Sequence, residues 1–257
     1  RELLTADSTL VSLWHMNEAA GATANNSVVG RPNGTLTGAS FVSGGRFGNA
    51  VTFDGGDFIT VPHHVDLAPP AVSVEAWVNM NEVITRVVFD KSGGGNGYIL
   101  ATDGGGRPYF QVGVQRATAY LPVRAGKWTH LAGSYDGVTL KIYVDGDVAG
   151  VFGQAGLTVF TVATAYIGQN QAAGGRFDGL IDEVAVHNRV LRAGEIFDHY
   201  RAGAVTLKLQ GRAAAEPTFS APVVNFTGPG NDVNTYFTTS SGDDMVGDVA
   251  LAQYFQY

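Results

Sequence analysis

The sequence predicts an all-β protein built as a sandwich of two antiparallel sheets, and three features of it say so. Only 15% of the 257 residues are charged while 35 are glycine, against roughly 25% charged and 7% glycine in an average soluble chain. Val, Thr, Phe and Tyr are abundant, as strands require. Short alternating apolar runs are separated by Gly-bearing turns at the spacing of a sandwich.

The elements follow in order. Residues 1–9 are an N-terminal segment, 10–203 the sandwich domain and 204–257 a strand-rich extension. Val72-Ser73-Val74-Glu75-Ala76-Trp77-Val78 puts Val72, Val74, Ala76 and Val78 on one face of a strand and Ser73, Glu75 and Trp77 on the other. Leu140, Ile142 and Val144 alternate with Lys141 and Tyr143, bracketed by the turn signals Asp136-Gly137 and Asp145-Gly146. Asn33-Gly34, Asp54-Gly55, Asn96-Gly97, Asp103-Gly104 and Asp178-Gly179 punctuate the rest. One helical signal stands out: Ile196 and Tyr200 lie at i,i+4 within Leu191–Tyr200, with Gly203 as the expected stop. Beyond it, Val205–Gln210, Val223–Thr227 and Thr235–Thr239 read as strands separated by Pro217, Pro222 and Pro229. A segment of that size carries a poor core alone. It is expected to pack on the sandwich or on a neighbouring chain.

Composition also excludes. A net charge of −7 argues against nucleic acid as partner. With no cysteine, disulfides, thiolate metal sites and Cys nucleophiles are ruled out. No apolar run approaches the ~18 residues of a membrane span. The chain begins at Arg1 with neither Met nor an apolar leader, which reads as a processed or excised piece. Three N-glycosylation patterns, at Asn25, Asn33 and Asn225, are close to what chance supplies.

Six strings in order carry a resemblance: LWHMNEAAG (13–21), RFGNAVTFDGGDFITVP (46–62), VSVEAWV (72–78), KWTHLAGSYDG (127–137), LKIYVDG (140–146) and YIGQNQAAGGRFDGLIDEVAVHNRVLRAGEI (166–196). Over roughly residues 10–200 the chain resembles the laminin-G-like, pentraxin-like branch of the concanavalin A-like lectin/glucanase superfamily. The resemblance implies a jelly roll with one concave sheet. It also implies an extracellular or cell-surface setting, glycan, protein or cell-surface ligands, and often calcium. Function on such a fold must be argued from its sites.

Asp182 is the leading candidate. Plain alternation puts it on the face of Val184 and Val186, where a carboxylate needs a partner or a metal. The resemblance implies one structural calcium on Asp182, helped by backbone carbonyls around Asn17, Glu18 and Gly48. The competing account is an Asp that caps backbone N–H groups or pairs with Arg46. A second candidate is the loop Gly168-Gln169-Asn170-Gln171-Ala172, which resembles the calcium loop of pentraxins but has Asn170 and Ala172 where that loop carries acids. Asn96, Asn170 and Gln171, with Tyr98 and Arg176 beside them, then either form a rim that hydrogen-bonds a sugar or are solvated loop polars. Trp77 and Glu75 suit sugar stacking and hydroxyl binding if their face is open, and ordinary packing if a neighbouring segment covers it.

Catalysis finds no support, because no strand carries the E-x-D-x-x-E run that sets two carboxylates across a sugar, and Asp182 and Glu183 are adjacent. G-x-S-x-G, H-E-x-x-H and P-loop motifs are absent, and His63-His64 lacks a third zinc ligand. The expectation is therefore a non-catalytic recognition or adhesion module binding a glycan or cell-surface polymer. The alternative is a structural subunit of a surface fibre or layer, pairing with copies of itself through residues 1–9 and 204–257. A degenerate glycoside hydrolase ranks last.

Overall fold

The computed structural model describes residues 9–204, together with two short strands further along the chain. In chain order come β1 (Leu10–Trp14), β2 (Thr23–Ala24), β3 (Gly34–Thr37), β4 (Ser40–Phe47), β5 (Asn49–Asp54) and β6 (Phe58–Val61). After a 3-10 turn at Val65–Leu67 follow β7 (Val72–Met80), β8 (Arg86–Gly93), β9 (Asn96–Thr102), β10 (Pro108–Val112) and β11 (Gln115–Thr118). The sandwich closes with β12 (Trp128–Tyr135), β13 (Thr139–Val144), β14 (Asp147–Gly153), β15 (Ala165–Ile167), β16 (Asp178–His187) and the helix α1 (Ala193–Ala204).

Two eight-stranded sheets result. One runs β14-β13-β12-β7-β16-β5-β4, with β1 added on β16; the other runs β11-β10-β9-β8-β15-β6-β3-β2. Neighbours pair antiparallel. This is the expected all-β sandwich. Its core is the set of inward positions that alternation selects: Val72, Val74, Ala76 and Val78 of β7 meet Tyr98 and Leu100 of β9, Phe110 and Val112 of β10 and Ile59 and Val61 of β6, all fully buried.

α1 begins and ends later than the sequence signal suggested. Gly203 is not its stop but lies inside it, buried, where a Cβ would stand 2.4 Å from Trp77 Cζ2. The glycine allows close approach of backbone to ring. We call the first sheet, whose outer side carries α1, the covered sheet, and the second the open sheet.

The chain divides into two compact units at Gly203 and Ala204. In the second, β17 (Arg212–Ala214) pairs antiparallel with β18 (Tyr254–Gln256), with Ala213 opposite Phe255. The runs Val205–Gln210, Val223–Thr227 and Thr235–Thr239 lie outside the described residues. So, apart from Thr9, Ala204, β17 and β18, do the segments expected to mediate self-assembly.

Candidate functional site

Over β7, β12 and β16, α1 seals the outer face of the covered sheet around Trp77 and Glu75. Trp77 is 1% exposed; its ring stacks on Tyr200 of α1 at 5.9 Å, and the Arg46 guanidinium lies 4.9 Å from its centroid. Leu191 and Ile196 pack on Ala132 and Tyr143, and the Leu191 N–H donates to Ser73 Oγ at 2.9 Å. Glu75, two residues before Trp77 on the same face, is fully buried among three imidazoles. His187 Nε2 lies at 3.1 Å, His199 Nδ1 at 3.0 Å and His130 Nε2 at 3.2 Å. Burial would raise the Glu75 carboxyl, but hydrogen bonds from His130, His187 and His199 outweigh it and hold the group well below the ordinary range. His199 in turn titrates above its ordinary value, because Glu75 overcomes the burial that would lower it. Of the two readings of this face the covered one holds, and Trp77 drops from the ligand-binding candidates.

Asp182 does not face the core either. β16 is bulged: Asp182 pairs with Trp77 but Ala185 with Glu75, and Glu183 takes a left-handed φ of 51°. The extra residue switches the alternation, so Ile181, Val184 and Val186 point inward. Asp182 sits where the edge of β16 passes from β5 (through Ile181) to β1 (from Val184). Its Oδ2 accepts the Phe47 N–H at 2.9 Å, and the amides of Arg46 and Glu183 also face it. The adjacent Glu183 pairs with His15 at 2.9 Å.

A calcium ion would need this loop to present carbonyl oxygens, yet around Asp182 it presents N–H groups. The Gly48 carbonyl accepts from Gly45 N–H at 3.0 Å and the Glu18 carbonyl from Asn49 Nδ2 at 3.0 Å. Asn17 Oδ1 is taken by Asn49 N–H at 2.9 Å, and Glu18 Oε1 by the Asn25 amide at 2.6 Å. Those oxygens are thus engaged within the loop, while Asp182 Oδ1 and Glu18 Oε2 are buried with no hydrogen-bond partner among the described residues. Burial, reinforced by the charge of Glu183, pushes the Asp182 carboxyl up to about 8. The capping account is the one the geometry follows.

The open sheet offers the contrasting surface. Register aligns Arg116, Gln111, Ile99, Asp90, Tyr166, Thr60 and Thr35 in one row across its outer face. Each step is about 4.8 Å, so the row is on the order of 29 Å long. All are partly exposed or exposed except Asp90. Tyr109 stands one position along from this row, under the Arg116 guanidinium at 5.0 Å. Phe58 meets Tyr166 edge-on at 6.1 Å and carries the Arg176 guanidinium at 5.3 Å. Asp90, 1% exposed, accepts Ser92 N–H at 2.7 Å and Gln171 N–H at 3.1 Å; burial nevertheless raises its carboxyl. The surface thus combines half-exposed rings with cations, a primary amide and hydroxyls, groups suited to a polyhydroxylated ligand with apolar ring faces.

The expected rim dissolves into parts. Tyr98 is fully buried between Phe89 and Phe110, its hydroxyl donating to the Leu67 carbonyl at 3.0 Å. It cannot contact a ligand there. Alternation with Leu100 was the signal for this. Asn170 Oδ1 accepts from Ala172 and Gly174 N–H at 3.0 and 2.7 Å, so its amide shapes its own loop. Gln171 is exposed and reaches the Thr164 carbonyl at 2.5 Å, and Asn96 is exposed at the start of β9. Arg176 does join the open face, through Phe58 and a hydrogen bond to the Gly56 carbonyl. Tyr109, Gln111, Arg116, Phe58 and Tyr166 were missed. Each is the polar-side member of an alternating strand, as in Ala165-Tyr166-Ile167. His63 binds no metal-like partner set, its Nδ1 lying 3.1 Å from Lys91 Nζ.

The concanavalin A-like lectin/glucanases superfamily model matches residues 53–197. No curated protein matches the sequence. Among solved structures, the chain is similar to domain 4 of AbnA, a GH43 extracellular arabinanase from Geobacillus stearothermophilus solved with arabinotriose. There the identity is 22%, the TM-score 0.62, and 75% of this chain and 98% of that one are covered. The binding domain of Paraclostridial Mosquitocidal Protein 1 follows at 13% identity and TM-score 0.62, covering 79% of this chain and 54% of the other. Trypanosoma rangeli sialidase, solved with 2,3-difluorosialic acid, matches at 18% and 0.57, covering 76% and 33%. The chain therefore spans about half of the second protein and a third of the third. Likenesses this remote establish the fold.

Proposed function

The chain belongs to the concanavalin A-like lectin/glucanase superfamily, and on that premise we propose that it is a non-catalytic recognition module that binds a glycan along the outer face of the open sheet. One observation carries the reading. Of the two outer faces, the covered sheet's aromatic Trp77 and its carboxylate Glu75 are sealed beneath α1, whereas the open sheet presents Tyr109, Tyr166 and Phe58 half-exposed beside Arg116, Arg176 and Gln111. Sugar rings stack on such side chains by their C–H faces, while amides and guanidinium groups take the hydroxyls.

Hydrolysis of a glycosidic bond uses two carboxyl groups facing one another across the sugar, about 5 Å apart in retaining enzymes. Among the outward positions of the open sheet's strands, Asp90 is the one carboxylate, buried and held by two backbone amides. Recognition without cleavage is what this composition supports. An extracellular or cell-surface setting belongs to the same proposal, in keeping with an extracellular arabinanase among the structural relatives.

The test is a glycan array that includes arabino-oligosaccharides and sialosides, followed by calorimetry on the best hit. Tyr109→Ala and Tyr166→Ala are each expected to weaken binding about tenfold, the loss of one stacking contact. Their thermal stability should stay near that of the wild type. Absence of any glycan ligand, or binding indifferent to both substitutions, would refute this assignment.

A further inference from the structure

Away from the open face, at the ends of β12 and β13 in the covered sheet, the segment joining β11 to β12 and the β13–β14 turn border an open groove of about 390 Å³, within the size range of small-ligand sites. Its walls differ in chemistry. Arg124 and Lys127 are exposed on one side and make no ion pair or side-chain hydrogen bond among the described residues. Trp128, half-buried, and Val144 supply apolar surface.

Asp145 completes the groove from the turn, in a left-handed conformation with φ 50°. It is a fixed group. Its Oδ1 accepts the His130 N–H at 2.9 Å, and its own N–H donates to the His130 carbonyl at 2.8 Å. Thr129, buried, also lines it, its hydroxyl 3.5 Å from the Lys127 carbonyl. Two exposed cations, an indole and a fixed carboxylate thus line one groove. A sugar acid matches this set. It has a C–H face for Trp128, hydroxyls for Asp145 and Thr129, and a carboxylate for Arg124 and Lys127.

We propose that this groove is a second glycan-binding site, specific for a carboxylate-bearing sugar unit such as a uronic acid. It goes beyond the open-face reading and stands independently of it, since the two sites share no residue.

The probes are methyl β-glucuronide and methyl β-glucoside, which differ only in the C6 carboxylate. Trp128 reports binding selectively: the chain has three tryptophans, and Trp14 and Trp77 are 0% and 1% exposed. The glucuronide should change tryptophan fluorescence and protect Trp128 from surface oxidation, binding at least tenfold tighter than the glucoside. Arg124→Ala and Lys127→Ala, both at exposed positions, should each weaken glucuronide binding about tenfold and leave any glycan bound through Tyr166 unaffected. Tyr166→Ala should do the reverse, so failure here and failure of the open-face site are distinguishable. Equal affinity for the two probes, equal displacement by sodium acetate, or glucuronide binding unchanged in the double variant would each overturn the proposal.

Discussion

Replacing Glu75 by Gln tests the seal on the covered sheet at its centre. The side chain keeps its size but loses the charge that His187 and His199 hydrogen-bond at 3.1 and 3.0 Å and that His130 approaches at 3.2 Å. Hydrogen bonds to a buried charge contribute roughly 1.5–3 kcal/mol each, and breaking one side of a buried pair costs about 3–5 kcal/mol. Part is regained because an imidazole left without its counter-charge becomes neutral. A net loss of about 2–4 kcal/mol near pH 6 is expected, or a fall in Tm of roughly 5–15 °C for a domain of this size.

The loss should depend on pH with a definite sign. Glu75 titrates well below 4.5 in the fold, so its contribution is complete above 4.5 and disappears as pH falls through the folded value. His199 titrates above 6.5 in the fold, so its contribution is complete below 6.5 and disappears as pH rises through its folded value. The pair therefore stabilises most between those limits, and the deficit of Glu75→Gln should shrink under alkaline conditions. Thermal unfolding followed by circular dichroism gives the deficit. Amide exchange over residues 193–204 locates it, because His199 is the network's member on α1. A cycle with His199→Gln isolates the pair from other titrating groups. A deficit below about 0.5 kcal/mol, or one identical on both sides of the window, would refute the reasoning.

Four other outcomes follow. Because the Asp182 carboxyl is pushed up from 3.8 to about 8, the fold binds its proton more tightly than the unfolded chain does, and this residue makes stability fall as pH rises across that interval. Asp182→Asn, which keeps an acceptor for Phe47 N–H, should flatten the profile and be at least as stable as wild type near pH 8. EDTA should leave the wild-type Tm unchanged, and a drop would restore calcium to Asp182. Gly203→Ala, whose new Cβ would lie 2.4 Å from the Trp77 ring, should cost about 1–3 kcal/mol by overpacking, read from denaturant unfolding. Tyr98→Phe leaves the Leu67 carbonyl unpaired in the core and should cost about 1–2 kcal/mol with no change in glycan affinity by calorimetry.

Period-two alternation and turn residues were enough to find the sandwich, because each is a local property. Val72 to Val78 became β7 with its four small side chains inward, and Asp145-Gly146 became the β13–β14 turn. Three readings failed for different physical reasons. Asp182 faces outward because one bulge residue, Glu183 at φ 51°, switches the alternation, and nothing in Ile181–His187 as a string announces a bulge. Trp77 is covered by a helix more than a hundred positions later; the i,i+4 pair Ile196 and Tyr200 implies an apolar face without naming its partner. Tyr98 was legible but overruled, since its alternation with Leu100 places it inward whatever the loop beside it resembles.

The two outer faces differ in chemistry, and the proposed role of the open one rests on that difference. On the covered sheet, Glu75 is matched to imidazoles, Ser73 to the Leu191 amide and Asp182 Oδ2 to the Phe47 amide, while Trp77 Nε1, His187 Nδ1 and Asp182 Oδ1 are buried without a hydrogen-bond partner among the described residues. A buried carboxylate network of this kind is worse than a plain apolar face if its partners are missing. The contacts of Glu75 with His199 and of Ser73 with Leu191 fix where α1 docks. On the open sheet the aromatic rings of Tyr109, Tyr166 and Phe58 instead rest against exposed or half-exposed guanidinium groups and water. Such contacts are weak individually and easily exchanged for a sugar's C–H face and hydroxyls. A surface whose own interactions are replaceable at small cost is one a ligand can take over, and among the two outer faces only the open sheet has it.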